Sequence, residues 1–364
     1  MLALHDLLSL MIEREASDLH ITTGCPPKLR ISGKLLTVPD CPPLTPEETR
    51  ELCLGFLTVA QRKLFEERNE TDLSFGIAGL SRFRANLFMQ RGAVAGAFRA
   101  IPFQIKTLGE LGLPGVVEQF LKKPRGLLLI TGPAGSGKST TLAAMIDWLN
   151  TKREGHIITI ESPIEFVHHH RNCIVNQREV HSDTPSFASA LRHSLRQNPD
   201  SVLVSDLPDR ETIEAAISLA ESGHLTLAAL PAHSGTHTLG SIIDAFPPHQ
   251  QDMIRGKLSS VLEGVLSQQL LPRRDTPGRV LALEVLVPTP VVRGLIREGK
   301  LAQVYSVMQS GTRSGSQTMN QSLLGLSTEK VISADDAVTY SPFPDEMVQM
   351  LSKAGPPGGQ KQKR

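Results

Sequence analysis

The residues best suited to chemistry lie between positions 126 and 141, GLLLITGPAGSGKSTT. Positions 132–139 read G-x-x-x-x-G-K-S, the pattern of a phosphate-binding loop. Glycines allow the backbone to curl until successive N–H groups point inward at phosphate oxygens, where a Cβ would collide with the ligand. Gly132, Pro133, Ala134, Gly135, Ser136, Gly137, Lys138, Ser139 and Thr140 are therefore expected to bind ATP. Lys138 would meet the β- and γ-phosphates, and the Ser139 hydroxyl would ligate Mg2+. An apolar run precedes the loop and AAMIDWL follows it at helical spacing, so the order is strand, loop, helix. The helix adds the positive end of its dipole.

Hydrolysis needs more than a cradle. It needs a carboxylate near Mg2+, a group that orients or deprotonates water, and positive charge against the γ-phosphate. Asp206 ends an apolar strand downstream of the loop and suits the first role, as a metal-side acid. Glu161 and Glu165, in the turn after the preceding strand, suit the second. In SRFRANLFM (81–89), Phe83, Ala85, Leu87 and Met89 face one way while Arg82, Arg84 and Asn86 face the other; Arg99 lies on the return strand. Two arginines on one strand face are equally consistent with a solvated surface and with guanidiniums that reach phosphate from a neighbouring domain. The run His168-His169-His170 invites a metal reading, but consecutive extended residues alternate faces, so a polar surface run is expected.

These residues need elements to position them. After the loop, HIITIE, SVLVSD and HLTLAAL are strands separated by helices such as SFASALRHSLRQ and DRETIEAAISLAESG. That alternation implies a mainly parallel α/β sheet covered on both faces, with ligands at the carboxyl ends of its strands. Residues 1–100 form a separate unit: a helix, two strands, a helical stretch from Thr45 to about residue 70, and a hairpin. Residues 101–113 are expected to be a linker, 114–289 the nucleotide-binding domain, 290–352 a helical module, and 353–364 a disordered tail rich in Gly, Pro and Lys.

The chain has 364 residues and carries 38 Lys plus Arg against 37 Asp plus Glu, a net charge of +1 that argues against nucleic acid as the main partner. Cys25, Cys41, Cys53 and Cys173 show no C-x-x-C spacing, which points to a reducing, cytoplasmic setting without structural zinc. The first residues, MLALHDLLSLMIERE, suit an amphipathic helix better than a signal peptide, because Asp6 interrupts the run and no basic segment precedes it. No apolar run is long enough to span a bilayer.

The stretches ITGPAGSGKSTTLAAMID, TIESPIEFVH, NQREVHSDT, LRQNPDSVLV, AESGHL, IIDAFPPHQQ, LIREGK and SQTMNQSL carry a resemblance, with ASDLHITTG and SRFRANLF before them. Over roughly residues 1–335 the chain resembles the PilT-type retraction ATPases of type IV pili, within the secretion ATPase superfamily. The resemblance implies a PAS-like N-terminal α+β domain joined to a RecA-like P-loop ATPase domain and a helical C-terminal module. It implies a homo-hexamer, or a complex with a paralogous motor, peripheral to the inner membrane through a pilus platform protein. By motif, Glu165 matches the water-activating glutamate, Asp206 the Walker B acid, and His224 the first histidine of the His box. Arg82, Arg84 and Arg99 match arginines that approach the nucleotide, which favours the functional reading of that strand face. LIREGK (295–300) resembles a segment needed for retraction.

The chain departs from the pattern near the site. Ser162 stands where E-D-P-x-E has aspartate. Residues 205–209 read S-D-L-P-D instead of G-E-M-R-D, so Asp206 is one methylene short and Pro208 replaces an arginine. Pro231 takes the place of the second histidine, with His233 two residues on. A working retraction motor and a weakly hydrolytic or inactive paralogue that serves an intact motor both fit this pattern. A DNA-handling ATPase is disfavoured by the neutral charge and the lack of a basic aromatic groove.

Overall fold

The computed structural model describes residues 3–31, 33–77, 79–101 and 104–354. It divides into two compact units: Met1–Gln104 with Pro163–Val167, and Ile105–Ser162 with His168–Arg364. Most of the expected tail, 355–364, lies outside the described residues.

The first unit runs α1 (Leu4–Glu13), β1 (Asp18–Ile21), β2 (Lys28–Ile31), β3 (Lys34–Thr37), α2 (Pro46–Leu54), α3 (Val59–Arg68), β4 (Glu70–Ile77), β5 (Ser81–Gln90) and β6 (Ala93–Ile101). Its antiparallel sheet has the order β3-β2-β1-β6-β5-β4. Alternation along β5 buries Phe83, Ala85 and Leu87, which pack with Leu19 of β1, Phe98 of β6 and Leu7, Leu8 and Met11 of α1. The helical stretch after Thr45 is two helices, not one. Thr45 with Glu48 and Thr58 with Gln61 each form a capping box, and the second starts a new helix past Gly55. Asn69, in the left-handed region at φ 61°, turns α3 into β4.

The second unit opens with Leu108 and Leu113 of the expected linker buried in its core. It continues through α4 (Val116–Leu121), β7 (Gly126–Thr131), α5 (Lys138–Lys152), β8 (Gly155–Glu161), β9 (Cys173–Glu179), α6 (Phe187–Ser194), β10 (Ser201–Val204), α7 (Arg210–Glu221), β11 (Leu225–Leu230), α8 (Gly235–Asp244), α9 (Pro248–Val261), β12 (Leu262–Pro272) and β13 (Arg279–Leu286). The sheet order is β13-β12-β7-β11-β10-β8-β9, with only the β12–β13 pair antiparallel. β7 is a continuous apolar strand because both its faces are covered: Leu127 and Leu129 join the core under α7 and α9, Leu128 and Ile130 the core under α4 and α5. Burying one such leucine stabilises by about 1.5–3 kcal/mol, more than an exposed ion pair, so packing sets where β7 delivers its loop. From β7 the chain crosses to β8 at the far side, returns through β10 to β11, and then places β12 on β7's other flank. The loop after β7 therefore sits at the point where strand order reverses.

Past β13 the chain is helical as expected: α10 (Pro290–Arg297), α11 (Val304–Ser310), α12 (Met319–Thr328), α13 (Ala334–Thr339) and α14 (Pro344–Ala354). Met319, Leu323, Ile332, Ala337 and Met347 form a small core on Leu271 and Ala282 of the β12–β13 hairpin. Among the described residues no helix is long and apolar enough to cross a membrane.

Candidate nucleotide site

The glycine loop, 132–139, leaves β7 and enters α5 through Gly137, whose φ of 91° favours glycine. Gly132 has a φ of +147°, and a Cβ there would fall 2.4 Å from the Gln268 carbonyl oxygen and 2.5 Å from Ser136 Oγ. Gly135, at φ +76°, would meet nothing within 4 Å, so the loop is tight at its base and open at its tip. No side chain caps the first turn of α5, which leaves its N–H groups to an anion. Ser136 Oγ is buried with no hydrogen-bond partner among the described residues. Lys138 Nζ donates to the carbonyls of Gly132 at 2.8 Å and Pro133 at 3.0 Å, placing an ammonium across the loop. A curled backbone, an uncapped helix start, an orphaned hydroxyl and an ammonium together fit a phosphate chain.

The carboxyl ends of β10 and β8 bring Asp206 and Glu161 to the same end of the sheet, since Val204 of β10 pairs with Ile160 of β8 and Ala228 of β11. Asp206 accepts from the Leu207 N–H at 2.9 Å. Burial pushes its carboxyl above the usual carboxylate range, while the Leu207 N–H and the positive charge of Lys138 pull it back. Glu161 Oε1 accepts from Thr159 Oγ1 at 2.6 Å and Gln177 Nε2 at 3.0 Å, so this acid is held in place by its neighbours. Glu165 is exposed and lies in Pro163–Val167, the segment that groups with the first unit.

Two of the departures meet each other. The Ser162 N–H donates to Ser205 Oγ at 3.1 Å, so the hydroxyl that replaces the usual glycine ties the acidic turn to the end of β10. Asp209 accepts from the Thr212 N–H at 2.8 Å and caps α7.

His224 is not brought to the loop. It precedes β11, its carbonyl accepts from the Gly126 N–H at 3.1 Å, and its Nδ1 lies 3.1 Å from the Leu219 carbonyl. Leu225 pairs with Gly126 and Leu230 with Thr131, so His224 lies at the opposite end of β7 from the glycine loop. The intervening length of strand is on the order of 20 Å. Pro231 and His233 follow the near end of β11 instead, and the exposed His233 ring lies 6.2 Å from that of His237.

Within the first unit, Arg84 and Arg99 are direct cross-strand partners, and Arg82 lies on the same strand. Arg99 Nε donates to Asp18 Oδ1 at 2.8 Å, and Arg84 lies 3.8 Å from Asp72. Burial pushes the Asp18 carboxyl up, but the Ser17 hydroxyl and Arg99 outweigh it and hold it below the usual range.

The histidine run is not wholly a surface feature. His168 is buried, its N–H donates to Gln177 Oε1 at 2.8 Å, and burial first, then Arg171 and His169, push its ring down to about 4. His170 Nδ1 accepts from the Val175 N–H at 3.0 Å. The run braces the chain between β8 and β9.

Sequence reasoning missed the residues behind the loop. Gln268 of β12, 1% exposed, donates from Nε2 to Thr141 Oγ1 of α5 at 2.7 Å, and Ser267 Oγ lies 2.9 Å from Thr131 Oγ1. Arg279 reaches the Gly135 carbonyl at 3.5 Å. The available signal was the polar triplet Ser267-Gln268-Gln269 inside the apolar strand VLSQQLL.

A largely parallel seven-stranded sheet with a glycine loop where its strand order reverses has the RecA-like ATPase fold. The chain belongs to the type II/IV secretion system protein family, whose description matches residues 100–335. It is 44% identical over 340 residues to the type IV pilus retraction ATPase PilT of Pseudomonas aeruginosa, across 93% of this chain and 98% of that one. It is 41% identical over 345 residues to the type IV pilus ATPase PilU of the same organism, across 95% and 90%. A crystal structure of the pilus retraction motor PilT with bound ADP superposes with a TM-score of 0.91 at 46% identity, covering 96% of this chain and 100% of that one.

Proposed function

We propose that this protein is an ATP-hydrolysing motor of the type IV pilus machinery that drives pilus retraction and twitching motility. The observation that carries the reading is the glycine loop, with its uncapped helix start and Lys138 across it, in a chain similar to PilT along nearly its whole length. In this reading the loop N–H groups and Lys138 bind the phosphates, Glu165 takes the proton of the attacking water, and Arg82, Arg84 and Arg99 offset phosphate charge. Ser139 and Asp206 suit Mg2+ because both are oxygen donors at the loop's end of the sheet, and the ion when bound supplies positive charge against the phosphate oxygens. The working assembly is a homo-hexamer in the cytoplasm, docked on an inner-membrane platform protein and open to a paralogous motor. The division into a PAS-like 1–100, a linker 101–113, an ATPase domain 114–289 and a helical module 290–352 belongs to the same proposal. The inactive-paralogue alternative is not favoured by the comparisons.

Purified protein is expected to hydrolyse ATP with Mg2+ and to stop when EDTA removes the metal. Expressed in a retraction-deficient host, it is expected to restore twitching. Nucleotide binding without turnover would overturn the motor reading. Two variants probe the altered boxes. Asp206→Glu adds one methylene, about 1.5 Å of reach, and is expected to raise kcat by up to about tenfold, or about 1.4 kcal/mol of barrier. An unchanged or lower kcat would mean that the aspartate already has the right length. His224→Ala is expected to lower stability by about 1 kcal/mol through its lost hydrogen bond, with kcat unaltered. A large fall in kcat at unchanged stability would place His224 in the catalytic machinery.

A further inference from the structure

Glu284 lies in β13 and is 2% exposed, and no cation pairs with it among the described residues. Burying a carboxylate without a counter-charge is costly unless strong donors replace water. The donors here are two helix starts. Glu284 Oε1 accepts from the N–H of Gly235, the first residue of α8, at 2.6 Å, and Oε2 accepts from the N–H of Met319, the first residue of α12, at 3.4 Å. Each helix presents an otherwise unsatisfied N–H and the positive end of its dipole to the same carboxylate. Ser234 and Thr318 already cap these helices through other N–H groups, so Glu284 is an additional acceptor that joins them.

What the two helices connect to gives this junction its meaning. α8 follows residues 231–234, which leave β11 beside Thr131 and the start of the glycine loop. Glu284 is also the cross-strand partner of Ser267, whose hydroxyl lies 2.9 Å from Thr131 Oγ1. α12 leads the other way, because Met319 and Leu323 anchor the core shared by the last helices. A displacement of Thr131 or of residues 231–234 therefore reaches the carboxylate through rigid strands and one helix start, and α12 is bound to that carboxylate.

We propose that Glu284 is a positioning residue that couples the nucleotide end of the sheet to the C-terminal helices by holding α8 and α12 to one carboxylate. The proposal rests on the reading of the glycine loop as an ATP site. A purely structural staple would stabilise both helices without making α12 respond to nucleotide.

The test is hydrogen exchange on the full-length protein, without nucleotide and with Mg2+ and ADP, in the wild type and in Glu284→Gln. In the wild type, amides of the glycine loop and of residues 319–322 are both expected to exchange about tenfold more slowly with ADP. Glu284→Gln is expected to keep the protection at the loop and to lose it at 319–322. Protection at the loop with no change at 319–322 in the wild type would overturn the coupling and leave the ATP site standing, as would an unaltered response at 319–322 in the variant. No protection at the loop itself would overturn the ATP reading, and the coupling with it. Glu284→Asp, which keeps the carboxyl group and shortens the reach, is expected to weaken the response at 319–322; if Glu284→Gln fails to fold, this variant and the wild type decide the question.

Discussion

Lys138→Ala is expected to lower ATP turnover by at least about 10²-fold, the loss typical when one charge-stabilising donor is taken from a reacting centre. The lysine has two roles that alanine cannot fill. Its ammonium bonds the carbonyls of Gly132 and Pro133 and so braces the base of the loop. It is also a cation beside Asp206, whose carboxyl its positive charge pulls back toward ionisation. Without it, the phosphates lose a counter-charge and Asp206 loses the partner that favours its charged form. Nucleotide affinity is expected to fall together with kcat, whereas the melting temperature should change little, because Lys138 lies in the first turn of α5 and its core-facing neighbours are untouched. Lys138→Arg is not expected to rescue activity, since a planar fork cannot take the place of a compact ammonium inside a loop of this curvature. Steady-state hydrolysis with ADP titration on the same samples checks this; turnover near the wild-type value in Lys138→Ala would sink the assignment of the loop.

Glu165→Gln is expected to reduce kcat by roughly 10²–10⁴-fold, the range for removing a general base, with nucleotide affinity nearly unchanged. Glutamine keeps the length and one acceptor oxygen but cannot take a proton. The contrast with Glu161 makes the experiment specific. Glu161 Oε1 is occupied by Thr159 and Gln177, so Glu161→Gln should loosen the turn and cost much less activity. If the two substitutions had equal effects, or if Glu161→Gln were the more severe, the roles of the two acids would have to be exchanged. Single-turnover measurements at saturating ATP separate the chemical step from release and keep the comparison on proton transfer.

Much of the ATPase unit was legible in consecutive residues. The apolar run of β7, the glycine pattern and the helical spacing of α5 are neighbours in the chain, and the φ values of Gly132, Gly135 and Gly137 match what their residue type announced. The alternation of β5 likewise predicted which side chains are buried, because a period of two is a property of any short window. The helical stretch after Thr45 is helical as its pattern announces and divides in two for a local reason: the Thr58–Gln61 capping box starts a new helix.

Other features depended on partners far away in the chain. His224 was assigned to the site on motif, yet a strand has two ends, and the parallel pairing of β11 with β7 puts this residue at the end away from the loop. The Ser162 N–H and the Ser205 hydroxyl, 43 positions apart, are joined by a hydrogen bond that neither stretch of sequence announces. Gln268 reaches Thr141 across 127 positions, and Glu284 reaches Gly235 and Met319 across 49 and 35. By itself, then, the sequence determined the glycine loop, the alternation of β7, β8, β10 and β11 with helices and the acids that follow the strands, because backbone propensity and periodicity act within a few residues. Only the tertiary structure decided which end of the sheet each polar residue occupies and which buried groups satisfy one another, because those depend on strand pairing and on partners that no short window contains.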